Sequence, residues 1–334
     1  MNQTHVIRRV RAGKRFRYLD AEGRTLNGQA AARIDRLAIP PAWKNVRIAS
    51  SEKTPIQATG KDARGRKQYI YSPHWTGKRE RLKYTRIAAF GAALPDIRAR
   101  VKADLRGQAP SRLRITAAAV RLMGHAPIRS GSKEYERTNG TFGLTTLRKQ
   151  HLQISGERVS ISFNAKGSKQ IALQIEDRAL ANALRSARKL KGEGIFRYLG
   201  DDGAVHRVSG SDIARYLSEG STQRFTSKDF RTWAASVLCA KELAGVAVPE
   251  TVRARKAARK EAECVVAEFL GNTPAICRTS YIYPGVFEAW ESGKLGKLWR
   301  KNATRWRKDK RRDPSERLLL ALLKDAPKRR GMKN

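Results

Sequence analysis

Two kinds of hydrophobic pattern divide the chain into two regions. From Phe16 to about Tyr71, short apolar stretches are separated by turns rich in Gly and Asp, as in β-hairpins. From Arg79 onward, apolar residues recur mainly at the three- to four-residue spacing of amphipathic helices. The sequence therefore predicts an α+β protein, with a small β-rich N-terminal domain at residues 1–80 and a larger, mainly α-helical domain at residues 81–334.

The N-terminal region contains signals for two hairpins and a bend. The turn DAEG at residues 20–23 follows an apolar strand and is predicted to lead into a short second strand. The turn DARG at residues 62–65 lies at the centre of a second hairpin, PIQATGKDARGRKQYIY. In that hairpin, the two-residue period of a strand places Tyr69 and Tyr71 on one face. Between the hairpins, LAIPPAW at residues 37–43 is predicted to be a bend stiffened by proline.

Two further hairpins are predicted within the helical region. In VSISFNAKGSKQIALQI, apolar residues alternate with polar ones on either side of Lys166-Gly167, which places a lysine at the turn. IFRYLGDDGAVHRV repeats this design with Asp202-Gly203 at its turn. Helices are predicted at Arg79–Leu105, Asp177–Leu190, Glu250–Leu270 and in the C-terminal DPSERLLLALLKDA.

Capping signals mark the ends of three helices. The tetrapeptide TSKD, from Thr226, has the spacing of a capping box, and the helix that it opens contains Arg231. Gly271 is predicted to end the helix before it. Thr273 and the proline after it have the form of an N-cap and a first-turn residue, and they predict a short helix that reaches Tyr281.

The charge of the chain indicates a polyanionic partner. Its 334 residues include 70 Lys and Arg against 30 Asp and Glu, a net charge of +40 that is spread along most of the sequence. Such a balance creates self-repulsion, and it suits a protein that lies along a nucleic-acid duplex. A membrane is the less favoured polyanion, because no apolar run approaches the length of a membrane-spanning helix. Since the N-terminus shows no signal-peptide pattern, we expect a cytoplasmic protein.

Cysteine and histidine usage argues against a metal site. Cys239, Cys264 and Cys277 are odd in number and far apart, which disfavours a disulfide framework or a zinc ribbon. They are predicted to be small buried hydrophobic residues in a reducing compartment. The five histidines are scattered and form no HExxH pattern, and no tight acidic cluster suggests a magnesium site. We therefore expect chemistry without a metal or another cofactor.

A phosphodiester can be attacked without a metal by residue types that this chain contains. Guanidinium groups match the negative charge that develops on the non-bridging oxygens. A tyrosine can act as nucleophile where nearby cations favour its phenolate, and an acid must protonate the departing oxygen. Composition alone does not select which Arg, Lys and Tyr fill these roles.

Several strings of the sequence resemble a known family. GNTPAICRTSYIYP, from Gly271, resembles the active-site tyrosine segment of type IB DNA topoisomerases in their bacterial and poxvirus-like branch. Three other strings follow that family's order: IRSGSKEYERTNGTFGLTTLRKQH from Ile128, FNAKGSK from Phe163 and SKDFRTW from Ser227. LAIPPAW and IQATGKDARGRKQYIY resemble the family's small N-terminal domain. The resemblance covers roughly residues 15–290.

The resemblance implies an activity and a set of catalytic residues. The family relaxes supercoiled DNA by transient cleavage and religation of one strand, without ATP or metal, with a catalytic domain of the kind shared with tyrosine recombinases. Matched by motif, Tyr281 is the nucleophile of a 3′-phosphotyrosyl intermediate, and Arg129 and Arg231 clamp the scissile phosphate. Lys166 matches the lysine that helps to protonate the 5′-oxygen. The family also implies action as a monomer on double-stranded DNA, here at the nucleoid.

Asn272 departs from part of this family. Poxvirus and eukaryotic relatives have a histidine at this position, whereas asparagine, which bacterial members commonly have, can donate a hydrogen bond but cannot carry a charge. Its share in catalysis is therefore expected to be smaller. The resemblance further implies DNA contacts by a set of six residues: Gln68, Tyr69, Tyr71, Lys133, Tyr135 and Lys228.

Two alternatives stay open at this point. A tyrosine recombinase uses the same phosphotyrosyl chemistry, although KDFRTW lacks the histidine that recombinases usually have two or three residues ahead of that arginine. A non-enzymatic, basic architectural protein that binds DNA or RNA explains the charge but not the ordered strings. The basic C-terminal stretch with Trp299 and Trp306 is either an extension of the DNA footprint or a solvated helical face.

Overall fold

The computed structural model of the protein describes residues 6–13, 15–167, 169–309 and 311–324. Contacts within the chain define two compact units, whose boundary in the sequence lies between Lys83 and Tyr84. The first is a small β-sheet unit, and the second is larger and mostly helical. Some side chains within the described ranges are not described: Val6, Lys78, Arg79, Glu80, Arg81 and Tyr135.

The first unit is a five-stranded antiparallel sheet with one helix. Its elements are β1 (Val6–Ala12), β2 (Arg15–Leu19), α1 (Gly28–Arg36), β3 (Lys44–Ala49), β4 (Ile56–Lys61) and β5 (Lys67–Tyr71). The strand order is β2-β1-β3-β4-β5. Ile34 of α1 is fully buried and forms the apolar core of the unit together with Ile48 and Ala58. The burial of these side chains attaches the helix to the sheet.

One of the two hairpins predicted for this unit is confirmed. Strands β4 and β5 form it, and the Gly65 N–H donates to the Asp62 carbonyl across the turn at 2.9 Å. The prediction of a strand after residues 20–23 is wrong, because the chain makes a single bridge between Leu19 and Thr25 there and then enters α1. Strand β2 pairs instead with β1, which precedes it in the sequence.

The second unit combines helices with two small antiparallel sheets. Its helices are α2 (Pro73–Asp104, which begins before the boundary), α3 (Arg112–His125), α4 (Lys133–Asn139), α5 (Arg178–Arg188), α6 (Gly210–Ser218), α7 (Ser227–Ala244), α8 (Val252–Leu270), α9 (Pro274–Ser280), α10 (Gly285–Glu291), α11 (Lys294–Lys308) and α12 (Pro314–Lys324). Its strands are β6 (Leu152–Ser155), β7 (Arg158–Ala165), β8 (Lys169–Glu176), β9 (Arg197–Leu199) and β10 (Val205–Arg207). Strands β6, β7 and β8 form one sheet, and β9 and β10 form the other.

Both hairpins predicted for this unit are confirmed: β7 and β8, with Lys166 at the turn, and β9 and β10. The predicted helices correspond to α2, α5, α8 and α12. Helix α2 begins at Pro73 and not at Arg79, because the Ser72 hydroxyl caps the earlier turn by accepting from the Trp75 N–H at 3.1 Å. Proline at the first helical position fits this start.

The predicted burial of the cysteines is correct for two of them. Cys239 and Cys277 are buried. Cys264 is exposed, so that prediction is wrong. It lies on the outer face of α8, while its neighbour Glu263 belongs to the face that is buried in the protein.

Helix α7 is held by contacts from two other helices. Phe90 of α2 packs edge-on against Phe230 and Trp233 of α7, with ring centroids 4.9 and 6.5 Å apart. The carboxylate of Glu316, buried on α12, accepts from the Trp233 indole N–H at 3.2 Å and from both terminal nitrogens of Arg98 on α2. These contacts give α7 a fixed position in the core. In the described part of the chain, no helix is long and apolar enough to cross a membrane.

Candidate active site

The first turn of α7 is fixed by a buried carboxylate. Asp229 accepts hydrogen bonds from the Thr226 N–H at 2.7 Å and from the Thr226 hydroxyl at 2.9 Å, which confirms the predicted capping box. Its other oxygen accepts from the Arg86 guanidinium of α2 at 2.8 Å. The turn that contains Arg231 is therefore held both by its own cap and by a neighbouring helix.

Arg231 is a buried cation with neutral partners. It is 4% exposed, and its guanidinium donates to the Leu270 carbonyl at 3.0 Å and to the Pro127 carbonyl. Burial lowers the pKa of Arg231; the Tyr281 phenol opposes this shift and Arg129 adds to it. Arginine nevertheless stays protonated in proteins. The Nε atom of Arg231 is buried without a hydrogen-bond partner among the described residues, so the group keeps donor capacity.

Tyr281 ends α9 beside this guanidinium. The Arg231 Cζ atom lies 5.1 Å from the centroid of the Tyr281 ring, within the range of a cation–π contact. The Tyr281 N–H donates to the Cys277 carbonyl at 3.0 Å. The Tyr281 carbonyl shares the single Ser236 hydroxyl proton, at 3.2 Å, with the Thr232 carbonyl at 2.9 Å. The Ser236 oxygen also accepts from the Tyr283 N–H at 2.9 Å. One side chain of α7 thus fixes the backbone on both sides of Ile282.

Asn272 joins the same site from the end of α8. Gly271 has the left-handed backbone conformation that ends α8, as predicted, with φ +63°. The Asn272 N–H then donates to the Ala267 carbonyl at 2.9 Å. The side-chain oxygen of Asn272 accepts a hydrogen bond from the Arg129 guanidinium. The Thr273 hydroxyl caps α9, also as predicted. Asn272 therefore lies between the end of α8 and the start of α9, and local contacts at both helix ends fix its position.

The segment of Arg129 is held by close backbone contact. The Arg129 carbonyl accepts from the Leu144 N–H at 2.8 Å. A side chain on Gly143 would lie 2.6 Å from the Gly131 Cα and 2.7 Å from the Arg129 carbonyl oxygen, so glycine is required for this approach. The Thr146 hydroxyl oxygen accepts from the Gly143 N–H at 2.8 Å and closes the turn.

We refer to four of these residues as the Arg–Tyr cluster: Arg129, Arg231, Asn272 and Tyr281. Among the described residues, no carboxylate is paired with either of its arginines, whereas Arg278 on α9 is paired with Glu263 at 3.2 Å. The cluster therefore presents positive charge that is not neutralised, as binding of a phosphate requires. In the described ranges, no group of three or more His, Cys, Asp or Glu side chains could hold a metal ion.

Lys166 is placed on a separate element. It is exposed at the turn between β7 and β8, where Gly167 has the positive φ, +80°, that the turn requires. The structure thus joins four of the five predicted catalytic residues in one cluster and places the fifth at the tip of a hairpin.

Comparison with known proteins decides the family. Residues 72–292 match the model of the eukaryotic DNA topoisomerase I catalytic core, and residues 15–62 match that of the bacterial DNA topoisomerase IB N-terminal domain. The chain belongs to the type IB DNA topoisomerases. It is similar to the DNA topoisomerase 1B of Acanthamoeba polyphaga mimivirus, with 28% identity over 294 residues that cover 86% of this chain and 88% of the viral protein. Membership of this family decides against the two other functions that the sequence left open, a tyrosine recombinase and a non-enzymatic architectural protein.

In this type IB topoisomerase, two of the predicted DNA contacts form an exposed aromatic pair. Tyr69 and Tyr71 of β5 are 43% and 39% exposed, and their rings stack with centroids 6.2 Å apart. Their placement on one face of β5 confirms the predicted alternation. Gln68, on the other face, donates to Asp62 at 2.9 Å. Hydrogen bonds from Arg66, followed by one from Gln68, lower the pKa of Asp62 to about 2, so its carboxylate stays ionised in more acidic solution than an ordinary aspartate.

The other predicted DNA contacts of the topoisomerase lie on α4 and α7. Lys133 and Lys228 are exposed at the starts of these helices. The side chain of Tyr135 lies outside the described part of the structure. Helix α4 is attached to the second unit by Glu136, which accepts from the Arg148 guanidinium at 3.0 Å.

Sequence reasoning missed two supports of the topoisomerase site. The first is Ser236, whose hydroxyl contacts the tyrosine segment; its only signal in the sequence is a small polar residue on the buried face of α7. The second is the contact between Gly131 and Gly143. Both glycines lie in the string from Ile128, but their sequence separation hides the contact, since a pattern read along one chain does not show which backbones meet.

Gly143→Ala is expected to slow DNA cleavage by this topoisomerase by about 100-fold, because a small displacement of a positioned group can cost that much in rate. The added methyl would collide with backbone atoms at Gly131 and Arg129, which cannot rotate away as a side chain could. Single-turnover cleavage of a duplex oligonucleotide measures the effect. Gly124→Ala is the matched control, because a Cβ there meets no atom within 4 Å. Equal rates for the two variants would show that the close contact does not position Arg129.

Proposed function

We propose that this topoisomerase relaxes supercoiled double-stranded DNA through a 3′-phosphotyrosyl intermediate on Tyr281. The main support is the contact of Tyr281 with Arg231, a buried guanidinium whose hydrogen-bond partners are backbone carbonyls. A phosphate attracted to that guanidinium would meet the tyrosine ring beside it. Arg231, Asn272 and Tyr281 are positioned by the ends of α7, α8 and α9 before DNA binds, which favours preorganised stabilisation of charge.

The proposed reaction exchanges one phosphate ester for another. The Tyr281 oxygen attacks the phosphorus and forms a bond to it, while the bond between phosphorus and the 5′-oxygen breaks. The phenolic proton leaves to solvent, and the 5′-oxygen takes a proton from Lys166. The products are a 3′-phosphotyrosyl ester and a free 5′-hydroxyl. Religation reverses each step, with the 5′-hydroxyl as nucleophile, so the ester itself conserves the energy that resealing needs.

The remaining cluster residues are proposed to stabilise the pentacoordinate phosphorus. Arg129 and Arg231 donate to its non-bridging oxygens, where negative charge accumulates. The Asn272 side-chain oxygen is bonded by Arg129, so its amide N–H groups are the part that can donate to a phosphate oxygen. Asn272 would then both orient Arg129 and add one neutral hydrogen bond.

Exposed aromatic and basic side chains in each of the two units support the rest of the proposal. The exposed pair Tyr69 and Tyr71 in the first unit, and exposed Lys133 and Lys228 in the second, supply stacking and charge for a duplex. We include Gln68 and Tyr135 among these contacts. The same proposal holds that one copy of the chain acts alone, at the nucleoid, and that its helical unit shares its fold with tyrosine recombinases.

Relaxation of negatively supercoiled plasmid tests the proposed function. In EDTA and without ATP, we expect conversion to relaxed topoisomers, and after denaturation a covalent adduct that retains a label placed on the 5′ side of the break. An adduct with the other DNA end would contradict a 3′-phosphotyrosyl ester. Relaxation that requires a divalent ion or ATP would contradict the reaction as written. A series of salt concentrations is needed, since a protein of this charge binds DNA with steep salt dependence.

A further inference from the structure

A second lysine of the β7–β8 hairpin lies beside the Arg–Tyr cluster. Lys169 is the first residue of β8, and its Cδ atom is 3.7 Å from the position that a Cβ on Gly271 would occupy. Gly271 directly precedes Asn272. The aliphatic part of Lys169 therefore passes the end of α8 at the point where the chain enters the cluster.

Lys169 lies on the paired part of the hairpin and not in its turn. Its backbone pairs with Ala165 across the hairpin ladder, whereas Lys166 lies in the turn itself. The glycine at 271 leaves room for the lysine stem, because its left-handed backbone ends α8 without a side chain. The two lysines of FNAKGSK thus occupy different settings, one at the turn and one on the ladder.

The charge of Lys169 also has an electrostatic effect on a residue of α9. Burial raises the pKa of the Cys277 thiol; the charge of Arg231, the Asn272 side chain and, to the smallest extent, the charge of Lys169 oppose that shift. Cys277 lies on α9, between Asn272 and Tyr281, and its carbonyl accepts from the Tyr281 N–H. This electrostatic effect agrees with the position of the Lys169 stem beside Gly271.

We propose that Lys169 supplies, beside Asn272, the positive charge that the neutral amide cannot carry, and that its ammonium group contacts the bound phosphate. This inference rests on the proposed function of the Arg–Tyr cluster. An ammonium group on a flexible stem can reach an oxygen from several directions, so it does not depend on the fork geometry that an arginine needs. Lys166 keeps its separate role as the proton donor to the 5′-oxygen.

Single-turnover cleavage with saturating enzyme tests the role of Lys169 apart from DNA affinity. Lys169→Ala is expected to cleave about tenfold more slowly than the wild type, less than the hundredfold or greater loss on removing a main transition-state donor. Lys169→Arg should recover most of the rate, because it keeps the charge. Lys102→Ala, which removes an exposed lysine of α2, is the matched control and should cleave at the wild-type rate. Equal rates for Lys169→Ala and the wild type, or equal losses for Lys169→Ala and Lys169→Arg, would overturn the proposal.

A double-mutant comparison tests the link to Asn272. In an Asn272→His background, the imidazole can carry the missing charge, so Lys169→Ala is expected to cost less than in the natural background. The same loss in both backgrounds would separate Lys169 from Asn272 and overturn the assignment. Failure of this inference is distinct from failure of the proposed function. A wild type that forms no covalent adduct counts against Tyr281, whereas a normal adduct with a normal Lys169→Ala rate counts against Lys169 alone.

Discussion

Tyr281→Phe is expected to form no covalent complex with DNA and to lose relaxation activity by at least about 10⁴-fold, since the substitution removes the proposed nucleophile of the reaction. The change deletes one oxygen and keeps the ring against the Arg231 guanidinium. The backbone bonds to Cys277 and Ser236 do not involve the side chain and should persist. Loss of activity would then report on chemistry, with binding of a duplex and the melting temperature both close to wild type.

Tyr283→Phe is the control for this experiment. Tyr283 lies two residues further along and packs its ring against Tyr84, with centroids 4.9 Å apart. Without its hydroxyl, the ring contact remains, and we expect adduct formation within a few-fold of wild type. The opposite result, an adduct on Tyr281→Phe and none on Tyr283→Phe, would move the nucleophile to Tyr283. Peptide mapping of the wild-type adduct gives an independent assignment.

Arg231→Ala is expected to reduce single-turnover cleavage by about 10³-fold, at the upper end of what removal of one preorganised donor costs. Arg231→Lys should recover little of this loss. One ammonium group cannot bond the Leu270 and Pro127 carbonyls and also donate to a phosphate in the geometry of the guanidinium. The pair of variants therefore separates the charge of Arg231 from its shape.

Stability must be measured alongside these rates. Removing Arg231 leaves buried carbonyl groups without their donor, which costs roughly 1–3 kcal/mol for each unsatisfied group. Cleavage should therefore be assayed well below the melting temperature of the variant. Arg178→Ala is a suitable control, because it removes an arginine whose side chain is 79% exposed. A cleavage rate for Arg231→Ala close to that of this control would remove Arg231 from the catalytic set.

The local parts of the site could be predicted from the sequence. The capping box at Thr226, the end of α8 at Gly271, the cap of α9 at Thr273 and the turn at Lys166 all depend on residues within a few positions of one another. These signals can be recognised in short segments, because the hydrogen bonds of a cap or a tight turn join residues only a few positions apart. These caps predicted where α7 and α9 begin, and so where Arg231 and Tyr281 lie along them.

The non-local parts could not be predicted in this way. Strand β1 was missed because Arg8, Arg9 and Arg11 interrupt its apolar alternation, and the strand depends on pairing with both β2 and β3. Helix α1 was missed because it lies between strands, and its attachment depends on the burial of Ile34 under a sheet that forms elsewhere in the sequence. The carbonyl acceptors of Arg231 lie 104 and 39 residues away from it in the sequence. The spacing of apolar residues predicts helices and strands but not contacts over such separations.

The hydroxyl of Ser236 has a mechanical consequence for the proposed cycle. While the strand is open, rotation of the free DNA end transmits torque to the phosphotyrosyl ester and so to the backbone of Tyr281. That backbone is bonded through Ser236 to α7, which Phe90 and Glu316 hold in the core of the unit, so the load passes into that core. The attached DNA end would stay aligned through many turns, and the freely rotating 5′-hydroxyl could return each time to the same place for resealing.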